Sequence, residues 1–445
     1  DFLAGAGQSV WQTLPLGPTH DDGSPYQCLS VHAGNPGFID RDALREEGWL
    51  DGAPSGMSLA AAWQAFQARA DTAARHDFEA FCAEHKSWLD DYALYCAIRE
   101  EQGHQAWWHW PAPLRDREPT ALEEAGRRLA DAVGTVRFGQ FVFFRQWAAL
   151  KHYANQRGVL MFGDMPIFVA HDSADVWAER QYFQLDERGQ PTVVAGVPPD
   201  YFSATGQRWG NPHYDWDRMG QDGYAWWLRR MATQLQLFDL IRIDHFRGFE
   251  AYWEIPAGHD TAQGGRWVQG PGDALFEAFH ARFGELPVVA EDLGVITEAV
   301  TALRLRHRLP GMKILQFAFD SGPGNPYLPH HHEPLYAVYT GTHDNDTTLG
   351  WYRSLPEAVR AHVNDYLACV AADMPWALIR AALASVATLA IVPLQDILEL
   401  GSEHRMNTPG TTTGNWAWRF RWAQVSGDAV RRLRHMTGLY GRLAQ

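Results

Sequence analysis

Short runs of β-branched and other apolar residues recur along the chain, and each ends in a polar, charged or glycine-containing segment. They occupy 10–16, 159–169, 240–244, 251–255, 287–292, 313–319 and 337–344. Apolar runs without strict alternation suit parallel strands buried on both faces, each feeding a polar loop. Between many of them, as at 224–238 and 274–283, apolar residues recur at three- and four-residue spacing and predict helices packed by one face. Strand and helix in alternation predict a parallel α/β fold. The seven strands fall one short of a closed barrel. The expected class is therefore a (β/α)8 TIM barrel with helical and loop insertions, its first strand ahead of residue 1.

The pattern changes twice. Over 30–140, Leu59, Trp63 and Phe66, then Phe78, Phe81, His85, Trp88, Leu89, Tyr92 and Tyr95 recur at helical spacing, which predicts a mostly helical insertion. Over 171–218, Gly, Pro, Asp and aromatic residues accumulate with little periodicity, which predicts a loop-rich insertion. The apolar stretch 381–394 is too short to span a bilayer and is interrupted by Pro393; it reads as a buried helix leading into a strand. The chain, 1–445, is taken as a single catalytic barrel unit carrying both insertions.

Composition narrows the partners. A formal net charge of −15 argues against binding nucleic acid or an anionic membrane, and points to an uncharged or small substrate. Cys28, Cys82, Cys96 and Cys369 are widely separated with no CxxC spacing, so neither a zinc site nor a disulfide framework is expected. Reduced thiols and a chain opening without a basic-then-apolar leader favour a cytoplasmic location. The 20 Trp, 15 Tyr and 22 Phe suit cores, interfaces and the CH faces of sugars alike, so composition alone does not choose among them.

Three acids stand at the ends of separate predicted strands: Asp244 in Ile241-Arg-Ile-Asp244, Glu291 in Val288-Val-Ala-Glu291, and Asp344 in Thr340-Gly-Thr-His-Asp344. Strand ends of one barrel converge on one face, so these carboxylates would share a pocket. Retaining glycosidic chemistry needs such a set, with one carboxylate attacking the anomeric carbon and a protonated partner donating to the leaving oxygen. Asp244 suits the nucleophile, because Arg242, two residues earlier on the same strand face, favours its charged form. Glu291 suits the acid, given a raised pKa. Any one of these acids reads as readily as a helix cap or an arginine partner. Three at matching strand ends point to shared chemistry.

Seven strings then carry a resemblance: Gly23-Ser-Pro-Tyr-Gln27, Gly163-Asp-Met-Pro-Ile-Phe-Val-Ala-His-Asp-Ser-Ala-Asp175, Gly206-Gln-Arg-Trp-Gly-Asn-Pro212, Arg242-Ile-Asp-His-Phe-Arg-Gly248, Ala290-Glu-Asp-Leu-Gly294, Gly341-Thr-His-Asp-Asn-Asp346 and Arg405-Met-Asn-Thr-Pro-Gly410. In this order, over nearly the whole chain, they resemble the amylomaltases or disproportionating enzymes. These are 4-α-glucanotransferases of glycoside hydrolase family 77, related to the α-amylase superfamily.

The resemblance implies an α-1,4-glucan donor whose glycosyl unit passes to the 4-hydroxyl of glucose or another glucan. It implies Asp244 as nucleophile, Glu291 as acid/base and Asp344 as transition-state stabiliser, with His343 and Arg242 beside them. It further implies Tyr26 as a stacking platform and Ser24, Asp164, Gln207, Trp209 and Asn415 as sugar contacts. Trp209 would restrict water on the acceptor side from a Gly-rich loop over 205–212. Each has a plainer reading: Trp209 as packing, Asp164 as a loop cap, Asn415 as part of a simple turn over 411–416. The family's first strand, with its His-Pro-Thr-Ser segment, is not seen before Asp1, and neither is the long N-terminal extension of some relatives.

Other signals are weaker. The run His330-His-His332 lacks the spacing of a zinc site and reads as a surface loop. Gly5-Ala-Gly7 precedes a strand, none of the three lysines follows a glycine, and no G-x-S-x-G occurs, so dinucleotide, P-loop and serine-hydrolase readings lose support. Asp21, Asp22, Asp172 and Asp175 match no calcium loop and read as solvated turns. No metal or cofactor is expected. Two alternatives to transfer remain: an α-amylase-like retaining hydrolase using the same acids, and a non-catalytic glucan-binding protein.

Overall fold

The computed structural model describes residues 1–51, 58–199 and 203–443. Its strands, in chain order, are β1 (Val10–Gln12), β2 (Leu160–Pro166), β3 (Val193–Val197), β4 (Gln207–Pro212), β5 (Leu240–Asp244), β6 (Ala251–Pro256), β7 (Arg266–Gln269), β8 (Val288–Ala290), β9 (Gly311–Ile314), β10 (Tyr336–Tyr339) and β11 (Leu389–Ile391). Seven are parallel and follow one another as β1-β2-β5-β8 and β9-β10-β11, with β8 against β9. This is the strand succession of a (β/α)8 barrel with seven positions filled among the described residues. Between β11 and β1 lies a cavity of about 520 Å³, walled by Val10, Trp11 and Gln12 on one side and Ala390, Ile391 and Val392 on the other.

Alternation along the strands divides the barrel into two layers. Ile241 and Ile243 point outward into the main core, shared with Trp227, Met231 and Phe276 of the flanking helices. The interior is plugged by Phe162, Val289, Met312, Ile314, Ala337 and Tyr339. Each large apolar side chain buried this way stabilises the fold by about 1.5–3 kcal/mol. Towards the strands' C-terminal ends the interior turns polar, because Asp164 and Arg242 take the positions above this plug. The helix Ala225–Leu237 matches the expected 224–238 and buries Trp226, Trp227, Met231 and Leu237. Its buried Arg230 donates to the carbonyls of Ile167 (3.0 Å) and Pro166, holding the helix to the end of β2.

Residues 30–140 hold the helices Leu59–Arg69, Thr72–Glu84, Lys86–Glu101 and Pro119–Arg128. The long helix Ala130–Asn155 begins there and continues down the flank of β2. Aromatic residues read at helical spacing pack together, with Phe66 edge-on to Trp49 (4.9 Å), tilted against Phe138 (5.1 Å) and stacked on Trp63 (5.9 Å). Among the described residues no helix is long and apolar enough to cross a membrane.

Three details depart from the sequence reading. The run 251–255 is not a parallel barrel strand: β6 pairs antiparallel with β7 and β3 in a side sheet ordered β4-β3-β6-β7. Only a short connection separates β6 from β7, too short for a crossover, so the chain must return as a hairpin. The seventh parallel strand is β11, entered from the helix Trp376–Ala384 as the stretch 381–394 implied. The segment 171–218 contains β3 and β4, and Trp209 stands on β4 rather than in a loop. A register shift between Val194 and Gly196 interrupts the alternation that would have shown these strands. Glycine is required at 196, since a Cβ there would meet the Gln207 carbonyl at 2.1 Å.

The loop after β10 is anchored from beneath. Asp396, 1% exposed, accepts from Thr340 Oγ1 (2.7 Å), Thr348 Oγ1 (2.7 Å) and the Thr348 backbone N–H (2.8 Å). Asp396→Ala leaves three buried donors without an acceptor. It is expected to lower stability by about 3 kcal/mol, measured as a shift in the denaturant midpoint of the purified protein.

Candidate active site

Register brings the first two charged groups together. Asp164 on β2 lies directly opposite Arg242 on β5, and Pro166 opposite Asp244. The two-residue period of β5 turns Arg242 and Asp244 to the same interior face. The guanidinium of Arg242, 4% exposed, bridges both acids. Its Nη1 donates to Asp164 Oδ1 (2.8 Å) and Oδ2 (2.7 Å), and its Nη2 lies 3.0 Å from Asp244 Oδ1. Burial opposes the charge on Arg242, but Asp164 and Asp244 outweigh it and hold Arg242 well above its ordinary value. Burial pushes Asp164 up, with Arg242 pulling against it. Tyr26 donates its hydroxyl to Asp164 Oδ2 at 2.7 Å. Burial, then the charge of Asp164, raise that hydroxyl well above the usual phenol range, so Tyr26 stays a donor.

Glu291 follows β8, next to β5. Its Oε2 accepts from the His245 backbone N–H at 2.6 Å and its Oε1 from that of Leu293 at 3.1 Å. To present that N–H, His245 adopts a left-handed backbone with φ of 52°, uncommon for a residue with a side chain. Burial raises the Glu291 carboxyl to about 8, with the charge of Asp244 adding to it and Arg242 and the His245 bond opposing. Desolvation wins, so Glu291 holds its proton at neutral pH. Neighbouring Asp292 is also raised, to about 6, by burial against its bond from the Met312 N–H and its ion pair with Arg304 at 3.0 Å.

Asp344 lies in the loop after β10 in a different environment. Its side chain is 49% exposed, against 29% for Asp244. Its Oδ1 accepts from Asn407 Nδ2 at 2.6 Å and lies 3.4 Å from His343 Nε2. The His343 ring stacks on Tyr26, with centroids 5.1 Å apart and planes 22° off parallel. Trp416 completes a half-box, 5.7 Å from Tyr26 and 5.9 Å from His343. Tyr26 thus touches Asp164 through its hydroxyl and His343 through its ring, joining the two sides of the cleft.

The remaining expected residues separate into two groups. Ser24 Oγ accepts from the Tyr26 N–H at 3.3 Å, placing it in the turn that presents Tyr26. Trp209 meets His245 edge-on at 4.9 Å and donates Nε1 to Gln207 Oε1 at 3.1 Å, so both stand beside the residue after Asp244. Asn415 turns into its own loop instead: its Oδ1 accepts from the Thr408 N–H (2.9 Å) and its Nδ2 donates to the Thr411 carbonyl (3.0 Å).

Asn407, Trp416 and His245 join the cluster without having been singled out. Asn407 and His245 lay inside quoted strings, and Trp416 follows Asn415, but a residue type conveys no role without its spatial partner.

Two surface readings change. Asp175 is buried and accepts from the Val31 N–H, with burial pushing it to about 7; Asp172 accepts from the Tyr95 hydroxyl and faces Arg99. Neither is a solvated turn residue, because each satisfies donors from the helical insertion. The three histidines diverge, His330 to Tyr366, His331 to the Pro323 carbonyl and His332 to Ser385.

Comparison with known proteins places this geometry. Residues 1–424 match the model of a family described as 4-alpha-glucanotransferase. A 4-alpha-glucanotransferase of Thermus thermophilus is 51% identical over 99% of this chain and 93% of its own length. One from a Synechocystis species is 50% identical over 99% and 92%. Among solved structures, an amylomaltase from Streptococcus agalactiae in complex with acarbose superposes with a TM-score of 0.95. It is 35% identical, over 99% of this chain and 94% of that one. A barrel that places Arg242 between two acids beside a desolvated Glu291, matched along its length by these relatives, belongs to the 4-alpha-glucanotransferase family, whose members transfer segments of α-1,4-glucan.

Proposed function

We propose that the chain transfers α-1,4-glucan segments to the 4-hydroxyl of glucose or another glucan by a retaining double displacement, as one catalytic unit located in the cytoplasm. The observation that carries this reading is the contrast between two neighbouring carboxyls: Asp244 is paired with Arg242, while Glu291 is desolvated and pushed up to about 8. Asp244 attacks the anomeric carbon and forms a glycosyl ester as the C1–O4 bond breaks, and Glu291 gives its proton to the departing O4. Glu291, now a carboxylate, takes the proton of an incoming 4-hydroxyl. That oxygen attacks C1 and releases Asp244. Asp344, with Oδ1 engaged by Asn407, accepts from sugar hydroxyls as positive charge develops at C1. Tyr26, its ring stacked on His343, is the stacking platform beside the cleaved bond, and His343 donates to the same sugar ring.

Transfer rather than hydrolysis requires the ester to outlive encounters with water. Trp209, held on β4 by the side sheet and set against His245, stands beside the residue that joins Asp244 to Glu291. We place the acceptor there, with Trp209 as its apolar wall.

Incubation of the protein with maltotriose alone is expected to release glucose together with a ladder of longer maltooligosaccharides, read by chromatography, and Asp244→Asn to abolish both. Maltose and glucose without longer products would instead establish the hydrolase.

Because Glu291 must start protonated and its carboxyl titrates near 8, kcat/KM is expected to fall about tenfold per pH unit on the alkaline side of that value. Glu291→Gln is expected to lose on the order of 10³-fold in rate and with it this limb of the pH profile. For Trp209→Ala, the expected outcome is a rise of about threefold or more in reducing ends formed per transfer event, measured by a reducing-sugar assay beside product chromatography. An unchanged ratio would remove Trp209 from the control of water.

A further inference from the structure

The segment 405–416 lies against the loop that carries Asp344 and holds it. Arg405 Nη2 donates to the Asp344 carbonyl (2.9 Å) and Arg405 Nε to the Asn407 carbonyl (3.2 Å). The Asn407 N–H donates to the His343 carbonyl (3.1 Å), and Asn407 Nδ2 to Asp344 Oδ1 (2.6 Å). Asp344 thus has its backbone and one carboxylate oxygen held by the same short stretch, while Oδ2 carries no hydrogen bond among the described residues. Unlike Asp164 and Asp244, Asp344 has no arginine on its carboxylate. The Asn407 amide is the donor that sets its angle.

The same segment ends in a strained aromatic residue. Asn415 closes the 408–415 turn on itself, and the Trp416 N–H then donates to the Met406 carbonyl at 2.7 Å. Making this bond places Trp416 in the left-handed region, with φ of 61°, at a cost of about 1–3 kcal/mol for a residue with a side chain. A loop needing only closure would be satisfied at lower cost by glycine or asparagine at this position. The strain instead delivers a half-buried indole against Tyr26 and His343, with planes tilted 46° and 41° to theirs. Such an open-faced aromatic corner fits the CH faces of pyranose rings.

We propose that segment 405–416 is a donor-side clamp, in which Trp416 packs on a sugar ring of the bound glucan and Asn407 is a positioning residue that aims Asp344 at the ring being cleaved. This rests on the transferase reading above.

The test is steady-state kinetics with maltotriose and maltoheptaose on the full chain, with thermal melting of every variant. Trp416→Ala is expected to raise KM about tenfold for maltotriose with kcat within about threefold, and Trp416→Phe to recover most of the loss. Asn407→Ala is expected to lower kcat about 100-fold with KM within about threefold, and Asn407→Asp, which sets a second carboxylate against Asp344, to lower it further.

Wild type without disproportionation of maltotriose would sink the transferase reading itself. An active wild type whose Asn407 and Trp416 variants keep its kinetic constants would overturn the clamp. So would variants that lose kcat and KM together with a lowered melting temperature, since that pattern describes a loop acting through stability alone.

Discussion

One buried cation organises the catalytic end of this barrel. Arg242 sits among apolar strands at 4% exposure, where an unpaired guanidinium would cost several kcal/mol. It is tolerable there because β2 and β5 pair in the register that sets Asp164 opposite it, and because Asp244 lies two residues along on the same face. A one-residue slip of β5 against β2 would turn Arg242 into the outer helix layer and strand Asp164 without a counter-charge. The ion triad therefore specifies register as well as chemistry. Tyr26 extends it outward: its hydroxyl satisfies Asp164 while its ring meets His343.

Around this centre three acids lie in three different environments. Asp244 is paired with a cation. Glu291 accepts two backbone N–H bonds, which favour its charged form, yet burial prevails and keeps it neutral. Asp344 is half solvated, with an amide rather than an arginine for a partner. That ordering suits a reaction in which one carboxyl must be charged, one must carry a proton, and one must respond to charge that appears only in the transition state. The elements that enforce it are local. Left-handed His245 aims its N–H at Glu291, and left-handed Trp416 brings an indole against Tyr26 and His343. Both are places where the surrounding structure sustains a backbone conformation that the residue alone disfavours.

The scaffolding divides its labour by element type. Aromatic residues fill barrel and insertions alike: Trp226 and Trp227 are enclosed on a barrel helix, Trp107 and Trp177 within the insertions. The antiparallel side sheet carries Trp209 to the other side of the cleft on a paired strand, which positions a large ring more firmly than a free loop would. Asp396 ties the base of the Asp344 loop to the helix that follows it. Recognition and chemistry are thereby mounted on hydrogen-bonded or packed supports.

By itself the sequence determined the parallel α/β alternation, the helical character of 30–140, and the location of Asp244 and Glu291 at strand ends, whereas Asp344 lies in the loop beyond a third strand rather than at its end. All three are local properties, since apolar periodicity and strand termini are written in neighbouring residues. Tertiary structure alone decided that 251–255 belongs to an antiparallel hairpin while β11 completes the parallel set, because pairing partners are distant in sequence. It also decided the parts played by Asn407, Asn415 and Trp416. An asparagine that donates to the Asp344 carboxylate and one that staples its own turn are identical as residues, and only the three-dimensional position of their acceptors, Asp344 Oδ1 for one and the Thr411 carbonyl for the other, tells them apart.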